Sequence, residues 1–265
     1  MMRFDYFFII RFPESAIRGC DDSMKPIGEI KEIIRYPVKS FQGERVQRTR
    51  VLKGGLYGDR SHAFLDESRP GNFLTITQCP EMARYRARFR GEESPDRYPP
   101  VEVTAPEGRV YRFGDDELQR RIEGLAKRKV SPVMHDPNGG PNRAIEEAPV
   151  LIVTDASLRE LGKWRRREVA LERFRPNLLI SLHDPVPFAE DDWVGRTLKA
   201  GGVELAVNRP CERCMIVTVD PKDASRDPSL LRTLVNERDN CFGVYAAVIR
   251  PGEVEVGQQV FLTGS

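Results

Sequence analysis

From Ile27 onward the chain is cut into apolar runs of strand length, and glycine and proline close almost every one of them. IGEIKEIIRYP alternates between apolar and polar positions, and RVQRTRVL, SHAFLD and NFLTIT follow as short β-like runs between turns. VEVTAPEGRVYRF reads as two strands around a Pro-Glu-Gly turn. DDELQRRIEGLAKR, acidic at its start and basic at its end, has the charge order a helix dipole favours. The first half is therefore predicted to be a barrel-like sheet with one closing helix.

Residues 136–149, DPNGGPNRAIEEAP, form the sharpest break in composition, with three prolines and two adjacent glycines. A domain boundary is expected there, separating residues 24–140 from 141–265. Beyond it PVLIVT is β-like, DASLRELGKW is helical with Asp155 or Ser157 as its cap, and NLLISL is a buried strand. TLKAGGVELAV and MIVTV read as strands, SLLRTLVNER as a helix, and CFGVYAAVIRPGEVEVGQQVFL as a hairpin turning at Arg250. The fold class is α+β, mainly β: two β-barrel-like domains packed together, with peripheral helices.

Lys and Arg number 42 against 40 Asp and Glu, so no global field recruits nucleic acid or membrane. The arginine runs RYRARFR (84–90) and WRRRE (164–168) read as solvated faces, with the hypothesis that a positive patch receives an acidic electron donor. Five scattered cysteines make no disulfide framework and point to a reducing, cytoplasmic setting. No apolar run approaches the ~20 residues of a membrane span. In residues 1–23, Asp5 interrupts the charged start and no small-residue cleavage site follows. The expectation is that Met24 is the working start, preceded by a disordered extension or an over-long reading frame.

PCERCMIVTVDP, Pro210 to Pro221, sets two cysteines three residues apart. Half a zinc site, a redox dithiol, a single acting sulfur and plain buried packing all use this spacing. Zinc needs about four ligands, and His62, His135 and His183 stand far apart with no second Cys pair. A redox dithiol usually opens a helix, whereas this pair precedes a β-like run. Arg213 beside Cys214 would favour a thiolate, which suits a soft metal.

YPVKS (36–40), GLYGDR (55–60), FRPN (174–177) and the Cys-Glu-Arg-Cys to Val-Asp-Pro stretch together resemble the MOSC family, the molybdenum cofactor sulfurase C-terminal-like proteins. The likeness covers nearly all of the chain after Met24 and is nearest to the family's stand-alone reductases. It implies a MOSC N-terminal β-barrel domain followed by the MOSC domain proper. It also implies a molybdenum cofactor (molybdopterin), with Cys214 as the protein's metal ligand and Cys211 structural. Lys39, Ser40, Arg60, Arg175, Asn177 and Arg213 match the family's cofactor-binding positions, where a terminal phosphate needs converging cations and N–H donors.

The implied activity is reduction of N-hydroxylated or N-oxygenated small molecules, with Asp220 as a candidate proton relay. Electrons come from an external donor, a flavin reductase with a ferredoxin-like or cytochrome partner, because the chain has neither iron–sulfur spacing nor a dinucleotide fingerprint. The alternative is a cofactor carrier or sulfur-transfer module without turnover. One departure stands out: Glu146 and Glu147 precede Pro149, where relatives tend to carry small hydroxylated residues.

Overall fold

The computed structural model describes residues 25–137, 144, 145 and 147–264. The predicted extension, and residues 138–143 and Glu146 of the predicted boundary, lie outside the described residues.

An eight-stranded sheet runs in the order Leu178–Leu182, Val150–Thr154, Cys241–Arg250, Val203–Glu212, Thr197–Ala200, Gln259–Thr263, Pro26–Arg35, Glu44–Val46. It closes because Pro26–Arg35 also pairs with Leu178–Leu182, Gly28 opposite Leu182 and Ile33 opposite Leu178. The opening strand therefore completes a barrel whose other members come from the second half of the chain. A bulge between Ile30 and Glu32 bends it, so that its first residues pair with Gln259–Thr263 and its last with Glu44–Val46. The barrel's filling is Ile30, Ile33, Ile152, Ile180, Leu205, Val207, Val244 and Ala246.

Val150–Thr154 is buried at every position, and it is apolar almost throughout for that reason. It runs parallel to Leu178–Leu182, and the crossover between them is helix α2, Asp155–Arg165. The helix is capped by Thr154, whose side-chain oxygen accepts from the Ser157 N–H at 3.2 Å, so the cap is neither Asp155 nor Ser157. Helix α3, Pro228–Arg238, is capped by Asp227 and packs Leu230 and Leu234 against Phe242 and Phe174.

A second layer surrounds Phe41, Phe64, Met82 and Tyr85. It contains the strands Arg86–Phe89, Val101–Thr104 and Val110–Arg112, the pair His62–Asp66 with Val130–Met134, and helix α1, Asp116–Ala126. Val219, far away in sequence, is part of the same core.

Three local expectations are corrected. MIVTV is a 3-10 turn over Met215–Thr218, because Val217 and Thr218 are buried by tertiary packing with no strand beside them to pair with. NFLTIT forms only an isolated bridge, Phe73 to Leu65. The chain after Arg250 does not fold back as a hairpin: Gly252–Glu255 leaves to pair with Arg48–Leu52, and Gln259–Thr263 rejoins the barrel beside Thr197–Ala200.

Candidate functional site

Tyr36 leaves the opening strand and holds the site together. Its N–H donates to Asp59 Oδ1 at 2.8 Å, its carbonyl accepts from the Arg60 N–H at 2.6 Å, and its hydroxyl donates to the Pro176 carbonyl at 3.1 Å. Three sequence-distant segments, 36–40, 57–61 and 174–177, are thereby latched to one another. Burial pushes the Tyr36 hydroxyl up from its ordinary pKa, so it stays a neutral donor.

Beside this hub lies a cleft of about 220 Å³. Lys39, Ser40, Arg60, Arg175, Asn177, Arg213 and Cys214, all singled out in the sequence, line it. Ser40, Arg60 and Arg175 have φ of 72°, 52° and 55°, the left-handed region that non-glycine residues avoid. Each costs about 1–3 kcal/mol and persists only where surrounding contacts over-determine it. Gly58 precedes this turn with φ of 69°, and a Cβ there would come within 2.4 Å of the Phe89 ring.

The cations are crowded. The Arg60 and Arg175 guanidiniums lie 4.7 and 4.3 Å from the Tyr36 ring centroid. Arg60 pairs with the fully buried Asp59 carboxylate, and its Nη2 reaches the Arg175 carbonyl at 3.3 Å. Arg175 donates Nη1 to the Phe41 carbonyl at 2.7 Å, but its buried Nη2 has no partner. Burial, and then Arg60, pushes Arg175 down to about 10. An anion in the cleft would satisfy the orphaned Arg175 nitrogen, while Glu147 and Glu212 supply carboxylates to the same lining. Lys39 Nζ donates to the Ala144 carbonyl at 2.8 Å on the same wall.

Cys214 is exposed at the cleft, at the N-terminal end of the Met215–Thr218 turn. Cys211 is buried. The expectation that Arg213 serves Cys214 is corrected: its Nη1 lies 2.6 Å from Cys211 Sγ, and Nη2 donates to the Phe174 carbonyl at 2.7 Å. On extended backbone, residues 211 and 213 point to one side and 214 to the other. Burial, and then Cys211, pushes the Tyr245 hydroxyl up. Cys211 and Arg213 are thus a buried pair beside the open thiol, and the half-buried Tyr245, which also lines the cleft, feels the Cys211 sulfur.

Asn177 lines the cleft, yet its amide serves the barrel: Oδ1 accepts from the Leu151 N–H at 3.0 Å and Nδ2 donates to the Ile34 carbonyl at 3.3 Å. Asp220 is the candidate that the fold keeps out of the cleft. Its carboxylate accepts from Arg173 Nη2 at 2.6 Å and from the Lys222 N–H at 2.9 Å, closing a turn. Glu147 is at the cleft margin and ion-paired with Arg209. Sequence reading missed the roles of Tyr36 and Asp59, although both stand inside the motifs YPVKS and GLYGDR. Among the described residues no group of three or more His, Cys, Asp or Glu side chains is placed to hold a metal ion.

Fold and cleft together define a closed-barrel protein presenting an open thiol next to a cleft lined by Lys39, Arg60, Arg175 and Arg213. The chain belongs to the MOSC family: residues 104–261 match the MOSC domain and residues 27–136 the MOSC N-terminal beta barrel domain. It is 26% identical to mitochondrial amidoxime-reducing component 1 of Homo sapiens, over 91% of this chain and 85% of the relative. With mitochondrial amidoxime reducing component 2 of Bos taurus the identity is 32%, over 90% of this chain and 84% of the relative. A molybdenum cofactor sulfurase of Danio rerio is 35% identical over 40% of this chain and 14% of its own length. No helix among the described residues is long and apolar enough to cross a membrane.

Proposed function

We propose that this chain is a molybdenum-cofactor-dependent oxidoreductase that reduces N-hydroxylated or related N-oxygenated compounds with electrons from an external donor. The observation that carries the reading is the meeting, in one cleft, of the open Cys214 thiol and the unpartnered Arg175 nitrogen. The residues present fit such a group: a soft sulfur donor for the metal and an unpartnered buried guanidinium nitrogen on Arg175 for the pterin's phosphate.

Arg60 and Arg175 would hold the phosphate, with the Tyr36 ring under both guanidiniums and Asp59 paired with Arg60. Lys39 and Ser40 close the same wall. Cys214 donates its thiolate, and its exposure leaves room for a substrate beside it. When bound, the cofactor supplies the two-electron chemistry that converts N–OH to N–H with two protons and releases water. Asp220, tied to Arg173 outside the cleft, is assigned to the turn and not to proton relay. The names of the amidoxime-reducing relatives support reduction; the sulfurase similarity favours the second reading, a cofactor carrier or sulfur-transfer module.

The two readings separate in one experiment. Protein made in a host that synthesises the cofactor is assayed for molybdenum and pterin, then given reduced viologen with a hydroxylamine or an amidoxime. Turnover with viologen, and none with NADH or NADPH alone, is expected. Cofactor-loaded protein that reduces no N-hydroxylated compound refutes the reductase and leaves the carrier.

A further inference from the structure

A groove of about 720 Å³, outside the cleft, brings together residues that are far apart in sequence. Arg84 and Arg86 come from one arginine run, Arg45 from the second strand, and Lys222 from the turn that follows Pro221. Arg45 is occupied by Glu32 and by Glu172, the groove's own carboxylate. Arg84, Arg86 and Lys222 have no carboxylate within ion-pair distance among the described residues, and Arg84 Nε is buried without a hydrogen-bond partner. The groove shares Ala170 and Lys222 with a neighbouring depression that carries Arg165 and Arg167 of the other run, both paired with Asp227. The two runs, 80 residues apart in the chain, meet on one face.

This face is also close to the cleft. Between them is a void of about 10 Å³, which shares Ile76, Arg175 and Ile216 with the cleft and Gln42, Glu172 and Pro221 with the groove. The partition is formed by the residues that line this void, and Gln42 Nε2 donates to the Pro221 carbonyl at 2.8 Å within it. The backbone from Cys214 to Pro221 runs from one side to the other. Seven residues reach at most ~25 Å when extended, and the 3-10 turn at 215–218 shortens that span.

We infer that this groove is the docking face for the electron donor, and that the donor is a small redox protein with an acidic surface around its redox centre. The inference rests on the reductase reading above. An acidic partner is favoured by the unpaired cations, which would steer its approach. The location is favoured by the shared partition, which sets the donor across from Cys214 while the open side of the cleft stays free for substrate.

The test uses the cofactor-loaded full chain and an acidic [2Fe–2S] ferredoxin, kept reduced by NADPH and its own reductase. Arg86→Glu and Lys222→Glu are each expected to raise the KM for ferredoxin about tenfold and to flatten its salt dependence. Viologen-driven turnover should be unchanged in both, and Lys25→Glu, which lines neither depression, should alter neither assay. Calorimetry of oxidised ferredoxin against each protein at low salt reads the surface without turnover. Equal affinity in wild type and both variants overturns the docking face, and so does displacement of ferredoxin by millimolar pyrophosphate with retention of wild-type behaviour in the variants. A docking face that binds ferredoxin, in a protein that turns over nothing with viologen, overturns the reductase reading instead.

Discussion

Replacing Arg175 by methionine separates a ligand-binding cation from a structural one. In the folded protein the guanidinium is pushed down from its ordinary value to about 10, by burial and then by Arg60. One pKa unit is worth ~1.4 kcal/mol, and with a discount for solvent in the open cleft the charge costs the cofactor-free fold on the order of 2 kcal/mol. Methionine removes that cost and keeps the apolar stem over Tyr36. It also loses the charged hydrogen bond to the Phe41 carbonyl, worth about 1.5–3 kcal/mol. The two effects nearly cancel, so cofactor-free Arg175→Met should differ from wild type by under about 1 kcal/mol, read from urea midpoints. Cofactor affinity should fall roughly 10- to 100-fold, since one charge-assisted hydrogen bond to the phosphate is gone. Pterin released from purified protein and measured by fluorescence reports that loss. A structural arginine would behave in the opposite way. A loss of about 3 kcal/mol or more in the cofactor-free protein, with wild-type pterin content, would refute the reasoning.

Two further outcomes follow from the same geometry. Cys214→Ser should abolish molybdenum binding, because a hydroxyl oxygen is a poor soft donor, whereas Cys211→Ser should retain metal while losing stability; equal metal loss in both variants would replace the single-ligand reading with a paired one. His62, packed 4.9 Å from the Phe113 ring, is pushed down to about 4 by burial. The unfolded chain therefore takes a proton below pH 6.5 that the native state refuses, so stability should be level above pH 6.5 and fall by about 2–3 kcal/mol towards pH 4. An unchanged acid slope in His62→Gln would show that another group is responsible.

The fold class and the segments that line the cleft were both legible in the sequence, whereas the strand pairings and side-chain partners were not. YPVKS, GLYGDR, FRPN and the Cys pair could be read because each is a short local pattern, and tertiary structure only had to bring them together. Barrel-like sheets were legible from the run of short strands, but which strands close the barrel was not, since the pairing of Gly28 with Leu182 joins partners more than 150 residues apart. MIVTV looked like a strand because Ile and Val favour strands, but among the described residues only Val219 pairs, in an isolated bridge to Arg226. The left-handed backbone at Ser40, Arg60 and Arg175 gave no signal, as nothing in those residue types asks for it. Arg213 was assigned to the wrong sulfur because adjacency in sequence was read as proximity, whereas extended backbone puts alternate residues on one side.

The closing of the barrel by Pro26–Arg35 has a consequence for synthesis. That strand leaves the ribosome early, yet its partners at 178–182 and 259–263 emerge much later. At ~5–20 residues per second, a delay of some tens of seconds separates its appearance from that of its last partner. During that interval Ile33 and Ile34 can pair only with the adjacent Glu44–Val46, and the strand's other edge and Ile30 wait for their barrel partners. Nascent chains should therefore engage chaperones through this first strand, and a fragment starting at the MOSC domain should emerge as an unclosed sheet that aggregates.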